Sequence, residues 1–223
     1  MDDRRRTRSR RRVHGSMTRL LIVGAGGFGR EMYQAVMASP SFRKREGITS
    51  IAYLDDGTPP LLRAPIAATI DGYSKLEGDI GLCAVGSPRA RRGVVARLAT
   101  KGLAFPAFVD DRAHVGDNIA LPEGAIVCCG SVLTVDIGLG KHVHINTQCT
   151  IGHDVVIGDF CTLSPKCNLT GGVRVGDSAF FGTAATVIPG KSIGDGARVG
   201  AGSVVVRNVS AEDAVFGNPA QRI

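Results

Sequence analysis

Between Val115 and Val205 every sixth residue is aliphatic or phenylalanine. The series runs Val115, Leu121, Val127, Leu133, Leu139, Ile145, Ile151, Ile157, Leu163, Leu169, Val175, Phe181, Val187, Ile193, Val199 and Val205. At the chain's 43% hydrophobic content, an unbroken series of this length arises by chance on the order of once in a million. A second series of small residues stands two places earlier and includes Ala113, Ala125, Ser131, Cys149, Cys161, Cys167, Ala179, Ala185, Ala197 and Ser203. One place after the anchors glycine recurs, as at Gly116, Gly140, Gly152, Gly158, Gly176, Gly182, Gly194 and Gly200. An amphipathic helix repeats at three, four and seven residues and does not produce this period.

A coil with three short flat sides does. On an extended segment a large residue and the small one two places before it share a face, so both point inward while their neighbours meet water. Glycine, Asn and Asp suit the bends between sides. Three hexapeptides make one turn, which predicts about five stacked turns of a parallel β-helix.

A different pattern precedes the coil. From Thr18 the chain reads TRLLIVGAGGFGREMYQAVM, an apolar strand, then Gly24, Gly26 and Gly29 in GxGxxG spacing, then a helical pattern. Such glycines let the backbone turn tightly beside an anionic ligand, and the helix N-terminus that follows favours phosphate. A second strand, ITSIAYLDD, ends in Asp55 and Asp56, and a third, DIGLCAVGS, leads into the helix PRARRGVVARLATKG. The Pro- and Gly-rich stretch DDGTPPLLRAPIAATIDGYSKL reads as a surface connection between them. Three readings of the glycine turn stay open: a nucleotide or nucleotide-sugar phosphate site, a nicotinamide dinucleotide site, and a turn that only permits close packing. The unit is too short for a full six-stranded dinucleotide fold. The expected organisation is a disordered basic leader or tag over residues 1–16, a Rossmann-like nucleotide-sugar-binding unit over 17–109, and a β-helix with a C-terminal tail over 110–223.

Composition narrows the partners. Of the formal charge of +7, the leader MDDRRRTRSRRRVHGS holds +5, so the remaining residues carry +2 and give no basic surface for nucleic acid. The leader lacks the apolar stretch of a signal peptide, and nothing approaches 18 consecutive apolar residues, so no membrane association is expected. Six cysteines without a CxxC pair suggest neither a disulfide framework nor a metal site. A reduced, cytoplasmic protein is the expectation.

The GAGGFGRE turn, the LDD strand end, the IGHDVVIGDF segment and the closing VFGNPAQRI together resemble the sugar acyltransferases of the sialic acid O-acetyltransferase and bacillosamine-pathway N-acetyltransferase group. The resemblance implies a left-handed β-helix, a homotrimer with active sites between neighbouring coils, acetyl-CoA as co-substrate, no metal, and a nucleotide-linked 4-amino-6-deoxy sugar as acceptor. His153 matches the family's catalytic base and Asp154 the acid that orients it. Acyl transfer needs such a base, and imidazole suits the task near neutral pH. Asn146 matches a position that contacts the acceptor sugar, and a corner Asn is an equal reading of it. For His142 and His144 the expected role is that of solvated corner residues, with the acceptor pocket as the alternative.

Gly171, Thr183 and Ala201 match places where coenzyme A meets the coil backbone, and Gly217, Asn218 and Pro219 lie where its adenine end is held. Lys166 and Arg222 offer charge for its phosphates. The glycine turn, Gly24, Gly26, Gly27, Phe28 and Gly29 with Asp55 and Asp56, is assigned to the nucleotide sugar. Two places depart from the family pattern. Phe28 replaces a histidine near the sugar pyrophosphate, and Thr162 stands where relatives carry a second histidine close to the acyl donor; its hydroxyl can donate to a thioester carbonyl. The rival to an enzyme is a non-catalytic trimeric scaffold that holds a nucleotide.

Overall fold

A computed structural model of the protein describes residues 18–223. The expected leader lies outside the described residues. The first unit begins with β1 (Thr18–Val23), α1 (Gly27–Met37) and α2 (Pro40–Glu46). It continues with β2 (Ile48–Leu54), β3 (Ile66–Ala68), β4 (Asp79–Cys83) and α3 (Pro88–Thr100). The four strands form one parallel sheet in the order β3-β2-β1-β4. Because β2 and β4 flank β1 on opposite sides, the chain reverses its direction of travel at the C-terminal end of β1. That is where the glycine turn sits, as expected for an open α/β sheet. The stretch read as a surface connection contains the short edge strand β3, which pairs with β2. A three-residue strand at Ile66 is too short for alternation to reveal it.

The coil follows as a left-handed parallel β-helix. Strands at Phe108–Val109, Ile126–Val127, His144–Ile145, Thr162–Leu163, Phe180–Phe181 and Arg198–Val199 recur every eighteen residues and stack in register as its first face. The second face runs from His114–Val115 through Thr150–Ile151 to Val204–Val205, and the third from Gly138–Leu139 to Ser192–Ile193. Phe108–Val109 thus pairs into the coil, just inside the expected end of the first unit. A hairpin of Ala214–Gly217 with Ala220–Arg222 closes the bottom.

The six-residue series is the core. Val127, Leu133, Ile145, Ile151, Leu163, Phe181 and Val187 are fully buried, and so are Cys149, Cys161, Cys167, Ala179, Ala185 and Ala197 from the small series. Each large side chain removed from water in this way contributes about 1.5–3 kcal/mol. The polar members of the small series find partners: Ser131 Oγ donates to the Asn146 carbonyl at 2.6 Å, and the Cys161 thiol donates to the Gly176 carbonyl.

The corners work differently from the sequence expectation. The left-handed residue comes three places after the anchor, and Asn118, Asp136, His142, Gln148, Asp154, Phe160, Lys166, Ser178 and Ala184 all adopt it at φ between 54° and 63°. The glycine one place after the anchor has no such conformation and serves close stacking instead. A Cβ on Gly182 would stand 2.5 Å from the Ala201 nitrogen of the next turn, and one on Gly140 would stand 2.4 Å from the Gly158 carbonyl carbon. Backbones of successive turns touch at these points, and no side chain larger than hydrogen fits between them.

Candidate active site

His153 and Asp154 form the corner between the second and third faces. Asp154 is the left-handed residue of that corner, at φ 61°, and this turns its carboxylate back toward the preceding side chain. His153 Nδ1 lies 2.7 Å from Asp154 Oδ2, with the two side chains 68% and 67% exposed. A carboxylate on Nδ1 fixes the ring so that Nε2 presents its lone pair outward. Beneath the ring, one turn on, lies Gly171, where a Cβ would be 2.5 Å from Nε2. The imidazole therefore rests directly on the Gly171 backbone.

The other candidate donor-side residues share a feature. The N–H groups of Gly171, Thr183 and Ala201 donate to no protein acceptor among the described residues, whereas their neighbours Gly172, Ala184 and Gly202 bond to the turn above. Thr183 and Ala201 stack eighteen residues apart on one corner. Gly217, at φ 105°, donates its N–H to Ser203 Oγ in the closing hairpin, with Asn218 and Pro219 at the tip. Arg222 pairs with Asp213 at 3.0 Å, so its charge is partly answered within the protein. Lys166 is a left-handed corner residue.

The glycine turn binds itself together. Gly24 adopts φ 94°, and a Cβ on Gly29 would lie 1.9 Å from the Gly24 carbonyl oxygen. Asp55 Oδ2 accepts from the Ala25 N–H at 2.6 Å while its Oδ1 accepts from Gly57, and Asp56 Oδ1 accepts from Ile70. Asp55 thus ties the glycine turn to its own loop, whereas Asp56 holds the loop at Ile70. In front of Gly26 and Gly27 there is open space, and the first turn of α1 has neither an acidic residue nor a side-chain cap. The helix N-terminus is therefore approachable by an anion.

Between α1 and the coil lies a cavity of about 620 Å³. Phe28, Glu31 and Met32 wall one side of it, and Arg112, Cys129 and Asn146 the other. Asn146 stands at the corner between the first and second faces. His153 stands at the opposite end of the second face and is not part of the cavity wall. One chain therefore does not bring Asn146 and His153 together.

His142, His144 and Thr162 lie elsewhere, on or beside the first face beneath the first unit. Thr162 was expected near the donor, but it is 4% exposed, and its hydroxyl donates to the Gly86 carbonyl at 2.8 Å and accepts from Arg91. That proton is already committed, so Thr162 offers nothing to a thioester. His142 is stacked on Phe160 and meets Phe105 edge-on. Burial, above all, pushes its pKa down to about 4. His144 is buried against Phe28, with ring centroids 5.5 Å apart. Burial first, then the Arg91 charge, keep it well below the usual imidazole range. Neither histidine lines the cavity, and neither is the solvated corner residue expected, because the first unit covers both.

Arg91 of α3 is the residue that sequence reasoning missed. It is fully buried and has no carboxylate partner among the described residues. Instead its guanidinium donates to carbonyls of Val85 at 2.8 Å, His142 at 3.1 Å and Phe160 at 2.7 Å, and to Thr162 Oγ1 at 2.9 Å. Burial pushes its pKa down to about 10, which still leaves it charged near neutrality. A signal was present: the buried residues of α3 are Pro88, Arg91, Val95 and Leu98, and Arg91 falls on that apolar stripe.

The PglD N-terminal domain family model matches residues 19–98. The acetyltransferase domain of PglB from Neisseria gonorrhoeae FA1090 superposes with a TM-score of 0.85 at 28% identity, over 92% of this chain and 99% of that one. PerB from Caulobacter crescentus, solved with CoA and GDP-perosamine, gives 0.82 at 30% identity over 93% and 98%. WeeI from Acinetobacter baumannii AYE gives 0.83 at 28% identity over 93% and 100%. No curated protein matches the sequence. Among the described residues no helix is long and apolar enough to cross a membrane, and no cluster of three metal-ligating side chains occurs.

Proposed function

Because this chain belongs to the hexapeptide-repeat sugar N-acetyltransferases, we propose that it moves an acetyl group from acetyl-CoA to the amino group of a nucleotide-linked 4-amino-6-deoxy sugar. The observation that carries the reading is the exposed His153 held by Asp154 at 2.7 Å over the bare Gly171 backbone. His153 Nε2 takes a proton from the acceptor nitrogen as that nitrogen attacks the thioester carbonyl carbon. The carbon–sulfur bond then breaks, and the departing thiolate recovers the proton from the imidazolium. Asp154 keeps the ring in the tautomer that can accept at Nε2 and stabilises the cation between the two transfers. The unpaired Gly171 N–H is placed to receive the charge that builds on the carbonyl oxygen.

The nucleotide sugar is assigned to the first unit, with its pyrophosphate at the N-terminus of α1 and its sugar reaching into the cavity beside Asn146. Coenzyme A is assigned to the coil, running past Thr183 and Ala201 toward Gly217 and Pro219. The full length of one coil side separates Asn146 from His153, which favours an assembly in which a second copy supplies the base. A homotrimer in the cytoplasm is the proposed state.

The test is to incubate the protein with acetyl-CoA and GDP-, UDP- and dTDP-linked 4-amino sugars and to follow free thiol. Acceptor-dependent release is expected. Nucleotide binding without thiol release from any acceptor would favour the scaffold reading.

A further inference from the structure

The cavity between α1 and the coil carries three charged side chains, Glu31, Asp110 and Arg112. Two of them cancel. Asp110 is fully buried and receives Arg112 in a two-pronged pair, Nε to Oδ1 at 2.9 Å and Nη2 to Oδ2 at 2.9 Å. Glu31 has no ion pair or hydrogen bond among the described residues. The rest of the wall is neutral, with Phe28, Met32 and Cys128 apolar and Asn146 and Thr147 polar. The cavity therefore presents one uncompensated negative charge, and its place is fixed by α1.

That place has a consequence for what binds. The open helix start at Gly26 and Gly27 suits an anion. Glu31 lies one turn further along the same helix, about 5.4 Å on, and faces the coil. A ligand that sets its phosphate on the helix start and runs toward Asn146 brings the far side of its sugar ring past this carboxylate. A hydroxyl gains little there beyond what water offers, whereas an ammonium gains a charge-assisted hydrogen bond.

We propose that Glu31 selects an amino-bearing sugar over its hydroxyl counterpart, so that the cavity decides for nitrogen as the acylated atom. This inference rests on the acyltransferase reading only in taking the cavity as the acceptor's seat. Glu31 holds the ammonium on arrival; one proton leaves to solvent and frees the nitrogen lone pair, and His153 takes the second as the nitrogen attacks and passes it to the departing thiolate. Glu31 is therefore a specificity residue and His153 remains the proton acceptor.

The experiment pairs a GDP-, UDP- or dTDP-linked 4-amino-4,6-dideoxyhexose with the matching 6-deoxyhexose bearing a 4-hydroxyl. Binding of each to the full chain and to Glu31→Gln is measured by calorimetry, alongside thiol release with acetyl-CoA. The wild-type protein is expected to bind the amino sugar about tenfold more tightly or better, the worth of one charge-assisted hydrogen bond. Glu31→Gln removes that margin, raises KM for the amino sugar by the same factor and leaves KM for acetyl-CoA unchanged, while Glu31→Asp recovers part of it.

Equal binding of the two sugars to the wild-type protein, or an amino-sugar preference that survives in Glu31→Gln, overturns the proposal whether or not transfer occurs. Selective binding without thiol release upholds it and instead overturns the acyltransferase reading. Failure of every sugar to bind overturns the assignment of the cavity.

Discussion

Two coil corners eleven residues apart each carry a histidine, and they have opposite chemistry. His153 is exposed, touches a carboxylate and lies on bare backbone. His142 is buried between two phenylalanine rings, with Nδ1 unpartnered and burial pushing its pKa down to about 4. His142 occupies the left-handed position that Asp154 occupies at the other corner, and His153 stands one place before it, yet position in the corner does not decide exposure, since Asp154 is as exposed as His153. What differs is the cover. The first unit lies on one corner and leaves the other to solvent, so the placement of α3 and its Arg91 sorts the histidines into a buried packing element and an exposed ring beside a carboxylate.

The strongest way to break this contrast is to remove the exposed ring. His153→Ala should lower turnover with acetyl-CoA by about two to four orders of magnitude, the usual worth of a positioned general base. The melting temperature should hardly change, since the exposed side chain touches only the exposed Asp154 carboxylate and the Gly171 backbone. Thiol-release kinetics beside thermal melts check both halves. A variant that keeps its turnover would remove the base from His153.

Next in size is the bolt that holds the cover. Arg91→Met retains the aliphatic stem but leaves the carbonyls of Val85, His142 and Phe160 and the Thr162 hydroxyl short of a donor. Buried groups stripped of their partners cost about 1–3 kcal/mol each before relaxation. We expect a net loss of about 3 kcal/mol, read as a lower midpoint in urea with turnover per folded molecule nearly unchanged. If stability stays the same, Arg91 is not what fixes the first unit on the coil.

A smaller and more selective effect belongs to Gly171. Its missing Cβ is the space in which the imidazole lies, and the ring is free to swing away. Gly171→Ala should therefore cost little stability and lower turnover by about tenfold to a hundredfold, in line with a catalytic group displaced by an ångström. An unchanged rate would mean that the ring does not work from above Gly171.

These sites also show where the sequence could be read and where it could not. The six-residue period announced the coil and its inward residues because burial repeats with the turn, and residues such as Ile151 and Cys167 had no other place to go. The GHD corner could be read through its resemblance to a family. The duties of Thr162, His142 and Arg91 could not, because they depend on which face the first unit covers, and that is a contact between parts 50 to 70 residues apart. The glycines after each anchor were read as bends, yet they answer to the neighbouring turn of the coil. Short segments such as β3 stayed hidden because three residues carry no usable period.

The gentlest probe of the comparison is acid. His142 titrates near its ordinary value when unfolded, about 6.5, and at about 4 when folded. Between those values the unfolded chain holds the extra proton, so stability rises with pH through this window and is lost as pH falls from about 6.5 toward 4. His144, also held neutral by burial, adds to the slope in the same direction. Thermal melts at pH 7.5, 6, 5 and 4.5 should show the loss beginning below about 6.5, the pKa of an unfolded histidine. His142→Phe replaces the ring by one that cannot take a proton and should flatten the slope, whatever it does to the stability at pH 7.5. If His142→Phe left the acid slope as it was, the covered corner would impose no penalty on a charged ring, and the sorting of histidines by the first unit would lose its physical basis.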